Sequence, residues 1–502
     1  MSDVLSTLHS HGIPVLTLAW VAPLALAAVV RHLPDARARL VTAIGGAMAI
    51  FAVSIEATRL AATSDHVGYL LEDRLGYAGF GYHVGLDGMG AVFLAVANLL
   101  GLLATVYGWL ARKPRVREWQ GWVFVLQGSL NGMIVSLDFA LFAAFAVLEI
   151  LPTAQLVRGW GTGDLRTEAA DRAAAFLGTS VGLWVAGTAA LAVASGAGTD
   201  LTALDHLSLS GPWADVAFFL LVYALAVRLP LFPFHAWLPP VIEHGPLVAL
   251  NVLLLGLKVG AFGLVRFVLP VLTDPAVRYT GLLTAVGLVG LVYGVLVALA
   301  QTDLRRMLAY LSLSHMGLVV PGLFTLDVHG VEGALLEALN LGLASAALYF
   351  VVGFLYRRTG TTELARLRGA ASGLPVLATA FLVITLATIG MPGTSGAEGL
   401  HLVLESAIGD GRYVTALGVG AGAVLGGAVL LKVYQAVLVG GDADGQRYAD
   451  LSGRELAIAG ALCAAIVAAG VYTTPWLAAL SGTAHHIDHE AQARAAGSEH
   501  GT

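Results

Sequence analysis

Apolar residues fill this chain in blocks of about 20 positions, the length that carries an α-helix across a hydrocarbon core of about 30 Å. Reading the runs bounded by charge or by Gly/Pro clusters gives about 14 candidate spans, from Ile13–Val30 to Leu456–Leu480, and predicts an all-α integral membrane fold. The segment Leu70–Asp87 is too polar to span; its alternation predicts a small outward hairpin between the second and third helices. Two spans carry helix breakers at depth. One is the stretch from Arg228 to Pro240, with Pro230, Pro233 and His235; the other runs from Gly390 to Gly399, with Pro392, Gly393 and Gly396. Backbone freed inside a bilayer survives only where protein or a water-filled cavity satisfies it, so paired broken helices point to an ion or substrate path. Each is followed by a span with a single lysine, Lys258 or Lys432, which reads as an approximate two-fold repeat. The expected division is 1–111 for three N-terminal helices with the hairpin, 112–278 for the first repeat, 279–440 for the second, and 441–502 for a last helix and a disordered His-rich tail.

The loops add an orientation. Basic clusters at Arg31/Arg37/Arg39, Arg112/Lys113/Arg115/Arg117, Arg158/Arg166/Arg172, Arg305/Arg306 and Arg357/Arg358/Arg366/Arg368 fall in alternate loops, which places both termini outward. Arg74 and Arg412 stand against this pattern. The polar start before Ile13 lacks a clear cleavage site, so the first run reads as a retained span. Composition excludes several classes of function. With 57% hydrophobic and 12% charged residues the chain is no soluble globule, and Cys463 as its one cysteine excludes disulfide frameworks and cysteine-ligated clusters within it. A net charge of -6 without a basic stripe argues against nucleic acid, and no Gly-x-Gly-x-x-Gly fingerprint marks a nucleotide site. Redox chemistry therefore belongs to a partner.

Charges inside the membrane then become the informative residues, because each costs about 2.5–3.5 kcal/mol at the bilayer centre. Lys258 lies mid-span in Leu247–Val271, too deep to snorkel easily, and lysine, unlike arginine, exchanges protons when buried; a structural ion pair is the alternative. Glu149 sits mid-span in Phe139–Val157, and Arg228, just before the first break, is its candidate partner. His315 is a candidate relay or a hydrogen-bonded core histidine, while His235 is expected to steady the broken turn through its ring. Glu337 and Asn340 share a helix and suit helix–helix bonding. Lys432 is near enough to a helix end to snorkel; Glu398 and His401 flank the second break as a candidate exit half of a relay. The tail from His485 to His489 resembles a metal tract but reads as a solvated end, and no metal or catalytic site is expected.

These residues together resemble the antiporter-like proton-channel subunits of respiratory complex I, most closely the chain M type, a family also found in membrane hydrogenases and multisubunit sodium/proton antiporters. The resemblance runs from about Val84 to Gly440 and rests on the stretches Val84–Gly88, Ala226–Pro239, Leu257–Phe267, Asp303–Gly317 and Met391–Gly396. It implies 14 helices with inverted repeats, two broken helices and a polar axis halfway through the membrane. Lys258 matches the family's central lysine and His315 its relay histidine. Arg228 stands where the family usually has a lysine paired with a glutamate, and Glu149 fills that glutamate's role with a small shift against Pro152. Leu341 occupies the place of a usual histidine, and the terminal titratable group is displaced from Leu400 to Glu398 or His401, the pattern of a divergent member. The implied function is a proton-translocating membrane subunit of a redox-driven complex, with no cofactor of its own. A cation/proton antiporter subunit, or the membrane subunit of a hydrogenase or inorganic-carbon uptake complex, is the alternative. The implied setting is a bacterial inner membrane, with other membrane subunits and a peripheral redox or catalytic protein as partners.

Overall fold

The computed structural model describes residues 14–63, 68–77, 80–110, 115–205, 207, 209–248, 250, 253, 258–369, 373–439 and 448–499. Met1–Gly12, Arg112, Lys113 and parts of the expected span Leu247–Val271 lie outside them. Helices α1 (Val15–His32) and α2 (Ala36–Thr63) lead into strands β1 (Leu71–Tyr77) and β2 (Phe80–Leu86). Then follow α3 (Gly88–Leu110), α4 (Val116–Val135), α5 (Phe139–Trp160), α6 (Arg166–Ser195), α7 (Pro212–Arg228) and α8 (Leu238–His244). The second half holds α9 (Val259–Gly263), α10 (Thr273–Leu299), α11 (Leu304–Leu323), α12 (Val328–Thr359), α13 (Pro375–Thr388), α14 (Gly396–Gly409), α15 (Tyr413–Tyr434), α16 (Gly453–Val471) and α17 (Thr474–Glu499). Among the described residues nine helices are long and apolar enough to cross a membrane. Backbone groups satisfied within each helix and side chains apolar on every face are what a hydrocarbon solvent demands.

The hairpin forms as its alternation predicts, with Leu71 opposite Leu86 and Tyr77 opposite Phe80. It is fastened to the loop after α6, where His83 Nδ1 and Asp200 Oδ2 lie 2.8 Å apart. Burial opposes ionisation of Asp200, but hydrogen bonds from Thr202 and the charge and bond of His83 outweigh it and hold the carboxyl below its usual range. Arg74 finds a local partner here, donating to Thr202 Oγ1 at 2.9 Å. Arg412 likewise donates to the carbonyl of Phe324 at 3.2 Å. At the opposite end of the bundle Arg357 and Arg358 both reach Glu455 at the start of α16, at 3.1 and 2.7 Å. The two ends are called below the hairpin end and the basic end.

Both expected breaks are present, between α7 and α8 and between α13 and α14, where prolines without an N–H leave carbonyls unpartnered within the helix. α7 starts at the hairpin end, where Asp215 pairs with Arg278 at 2.8 Å. α13 starts at the basic end, where the Asp450 carboxylate accepts from the amides of Val376 (2.8 Å) and Leu377 (3.3 Å). The two broken helices thus run in opposite directions.

Two expectations fail. Leu247–Val271 is not one smooth helix: Lys258 has a left-handed backbone (φ 43°, ψ 42°), α9 begins after it, and Leu264–Val268 forms a π-helical turn. The His-rich tail is not disordered within the described residues. Leu480, Ala484, Ile487 and Ala491, spaced four, three and four apart, form a buried stripe along α17, which lies on α2, α3, α10 and α12. The tail's charge conceals that stripe, and Thr473, accepting from the amides of Trp476 and Leu477 at 3.0 Å, starts the new helix where the last span was expected to continue.

Candidate functional site

Pro230 and Pro233 end α7 in mid-bundle. The indole of Trp237 turns back to donate to the carbonyl of Val227 at 3.0 Å, satisfying one of the groups that the break releases. Arg228, the last residue of α7, is thereby held with its side chain pointing at α5. Its Nη1 forms an ion pair with Glu149 Oε2, its Nε donates to Ser180 Oγ at 3.0 Å, and Nη2 reaches the carbonyl of Ala146 at 3.4 Å. Both side chains are only 4% exposed, so the charges neutralise each other away from solvent. A cavity of about 20 Å³, room for a single water, lies beside the pair, lined by Leu130, Leu177, Pro230, Trp237 and Val259.

Val259 links this cavity to Lys258. The lysine is buried, and its Nζ makes no hydrogen bond to the described protein. Its position is fixed by a close approach. A Cβ on Gly260 would stand 2.7 Å from both the carbonyl oxygen of Leu225 and the amide nitrogen of Leu229, so α9 lies with its backbone directly on the end of α7. A left-handed non-glycine residue costs about 1–2 kcal/mol, and this packing holds it there. His315, buried on α11, is near enough for the charge of Lys258 to act on it, and its Nδ1 has no hydrogen-bond partner. Glu149, Arg228 and Lys258 therefore gather around the first break, with His315 within reach of the field of Lys258.

His235 takes another role than the ring hydrogen bond expected of it. Its ring packs among Phe232, Tyr293 and Tyr310, with centroids 5.9, 5.2 and 6.3 Å away, and the turn is steadied instead by the Leu238 amide donating to the His235 carbonyl at 2.9 Å. At the second break, Asn340 occupies the gap. It accepts from Ser395 Oγ at 2.5 Å, donates to the carbonyl of Ala387 at 3.3 Å, and lies 3.4 Å from Glu337 Oε2. Gly396 admits it, since a Cβ there would be 2.5 Å from Asn340 Nδ2.

The structure does not bring Glu398, His401 or Lys432 to this interior. α14 presents Gly396, Gly399 and Val403 inward, and helical spacing turns Glu398, His401 and Glu405 to the other side. The His401 side chain is 70% exposed, with Glu405 3.9 Å away. Lys432 is exposed on α15. Pro392 and Gly393 are also exposed, at the outer edge of their break. Conversely, sequence reasoning missed a second buried charge pair: Arg266 Nη2 donates to Asp87 Oδ1 at 2.5 Å, with the arginine side chain 3% exposed. An arginine amid an apolar run and an aspartate heading an apolar helix were the available signals.

The family model described as NADH:quinone oxidoreductase/Mrp antiporter, TM, matches residues 136–426. NADH-quinone oxidoreductase subunit M of Mycobacterium tuberculosis is 30% identical, over 93% of this chain and 92% of its own. A chain of respiratory complex I from Thermus thermophilus superposes with a TM-score of 0.85 at 27% identity, covering 95% of this chain and 99% of that one. A chain of the Mrp complex from Dietzia sp. DQ12-45-1b shares the fold, with a TM-score of 0.86 at 20% identity over 96% and 98%. Two oppositely directed broken helices, with a buried lysine and ion pair at the first of them, are thus set in a chain that belongs to the NADH:quinone oxidoreductase/Mrp antiporter transmembrane family, as an integral membrane protein of the bacterial plasma membrane similar over nearly its whole length to subunit M.

Proposed function

We propose that this chain is a proton-translocating membrane subunit of a redox-driven complex of the NADH-quinone oxidoreductase type, with the redox chemistry in partner subunits. The observation that carries this reading is the convergence of Glu149, Arg228 and Lys258 on the broken end of α7, with the buried His315 within reach of the lysine's field. A buried amine without a hydrogen-bond partner is costly in hydrocarbon unless it is used, and lysine and histidine can both load and release a proton. Arg228, as an arginine, takes no part in that exchange. It acts on the others through its field, so that its approach to Glu149 or withdrawal from it raises or lowers the cost of a proton on Lys258.

The hairpin end faces outward and the basic end faces the cytoplasm, because arginines gather at alternate loops. Fourteen chain passes accommodate this orientation, counting each broken helix as one and the Lys258 segment as another. Residues 112–278 and 279–440 form two inverted repeats, a division supported by the opposite directions of α7 and α13 and by π-helical turns after both lysines, Leu264–Val268 and Gln435–Val439. Glu398 and His401 suit a face covered by a neighbouring membrane subunit, since charge left in lipid is expensive. Lys432 reaches the basic end along its own stem. Proton uptake by the reconstituted native assembly tests the reading: Lys258→Ala should abolish it while the complex still assembles, and unchanged uptake would refute it.

A further inference from the structure

At the base of the hairpin, against α17, lies a chamber of about 460 Å³ whose lining mixes apolar and polar side chains. Asp87 and Arg266 form its floor, Tyr69 one wall, and Asp205, Ser481, Thr483 and His486 its upper side. Its parts come from segments far apart in the chain. Asp87 heads α3, accepting from the Gly90 amide at 2.7 Å, and receives Thr483 Oγ1 from α17 at 3.3 Å. His486 Nε2 lies 3.1 Å from Asp205 and pins α17 across the top. Arg266 lies eight residues beyond Lys258, or about 12 Å at 1.5 Å per residue. Phe262, on the short helix that follows Lys258, lies with its ring 5.1 Å from the Arg266 guanidinium and packs on Phe93 at 5.2 Å.

We propose that this chamber is the outlet through which translocated protons leave toward the hairpin side, with the Asp87–Arg266 pair as its inner gate. The proposal rests on the reading of the chain as a proton translocator. In the step proposed, the Lys258 ammonium gives up a proton, which reaches the Asp87 carboxylate through water. Asp87 becomes neutral and loses its attraction for Arg266. It then releases the proton to water in the chamber as hydronium, and the carboxylate pairs with Arg266 again. A permanently charged guanidinium in the floor gives the outlet its selectivity. A sodium ion would have to stand against that charge to reach Asp87, whereas a proton arrives on Asp87 by neutralising it. Tyr69 supports this, because burial pushes its phenol up to about 12 and keeps it a neutral wall.

The test uses the native assembly in proteoliposomes, with Ser481→Cys in a Cys463→Ala background and a membrane-impermeant, positively charged methanethiosulfonate added from the hairpin side. The expected result is that modification lowers proton translocation several-fold while substrate-driven electron transfer is still measurable, and that the unmodified variant pumps normally. Full translocation after complete modification, verified by mass, would overturn the outlet. Loss of labelled sodium movement in parallel would overturn its proton selectivity. Lys258→Ala in the same vesicles separates the two readings: if it stops translocation and the modified chamber does not, the outlet fails alone; if it has no effect, the translocation reading fails.

Discussion

Arg228 and Glu149, 79 residues apart, meet as an ion pair with both side chains buried, and Ser180 Oγ fixes the guanidinium from a third helix. Removing one partner of such a pair destabilises by roughly 3–5 kcal/mol, because the other charge stays buried and uncompensated. Arg228→Gln should therefore lower the amount of assembled chain and lose translocation. Arg228→Lys, which keeps the charge but not the Ser180 contact, should retain most of the rate. The double variant Arg228→Gln/Glu149→Gln should recover assembly without recovering translocation. Proton uptake normalised to assembled protein checks all three, and full pumping by Arg228→Gln would make the pair a packing feature.

Thiol labelling reads the orientation directly. With Cys463→Ala as background, Gly482→Cys on α17 should react with an impermeant maleimide added to intact cells, and Arg115→Cys at the basic end should react only after permeabilisation. Labelling of Arg115→Cys in intact cells would invert the topology.

The attachment of α17 should depend on pH. The hydrogen bond to Asp205 raises the pKa of His486 above its ordinary 6.5, against the opposing effect of burial, and Glu490 adds to the rise; Asp87, Arg266 and Tyr69 share the chamber below it. A raised pKa means the stabilisation is complete below 6.5 and is lost as pH climbs through the folded value. Amide exchange across α17 should therefore be slower at mildly acidic than at mildly alkaline pH, beyond the intrinsic pH effect on exchange. His486→Gln should remove the difference. Equal dependence in the variant would exclude the His486–Asp205 contact as its source.

At the second break, a methyl group on Gly396 would collide with Asn340 and the Ala387 carbonyl. Overpacking of this kind costs about 1–3 kcal/mol. Asn340→Ala removes a helix–helix hydrogen bond, which in membranes averages about 0.6 kcal/mol and reaches about 1.7. Thermal melting of the solubilised protein should therefore fall further for Gly396→Ala than for Asn340→Ala, and the reverse order would mean the break relaxes around a side chain.

Much of this was legible because hydrocarbon is an unforgiving solvent. Apolar block lengths located the helices, and the cost of charge at depth led straight to Lys258, Glu149 and Arg228. What escaped depended on register and on tertiary contact. His401 was expected at the path because it is close to the break in sequence, yet Gly396 and Gly399 define the inward side of α14 and turn it away. The bend at Lys258 has no proline to announce it; it follows from the seating of Gly260 on α7. Asp87 and Arg266 each stood in a conspicuous motif, but 179 residues of chain hid that they meet.

Gly260 resting on the backbone of Leu225 and Leu229 welds the lysine's segment to the arginine's helix. A piston that ratchets one helix past its neighbour, a turn of about 5.4 Å at a time, would have to break that joint on every cycle. Such a ratchet is therefore disfavoured at this joint. On the proposed reading, coupling to a partner would reach these charges as a change in electric potential and as movement of side-chain tips, with the joint intact.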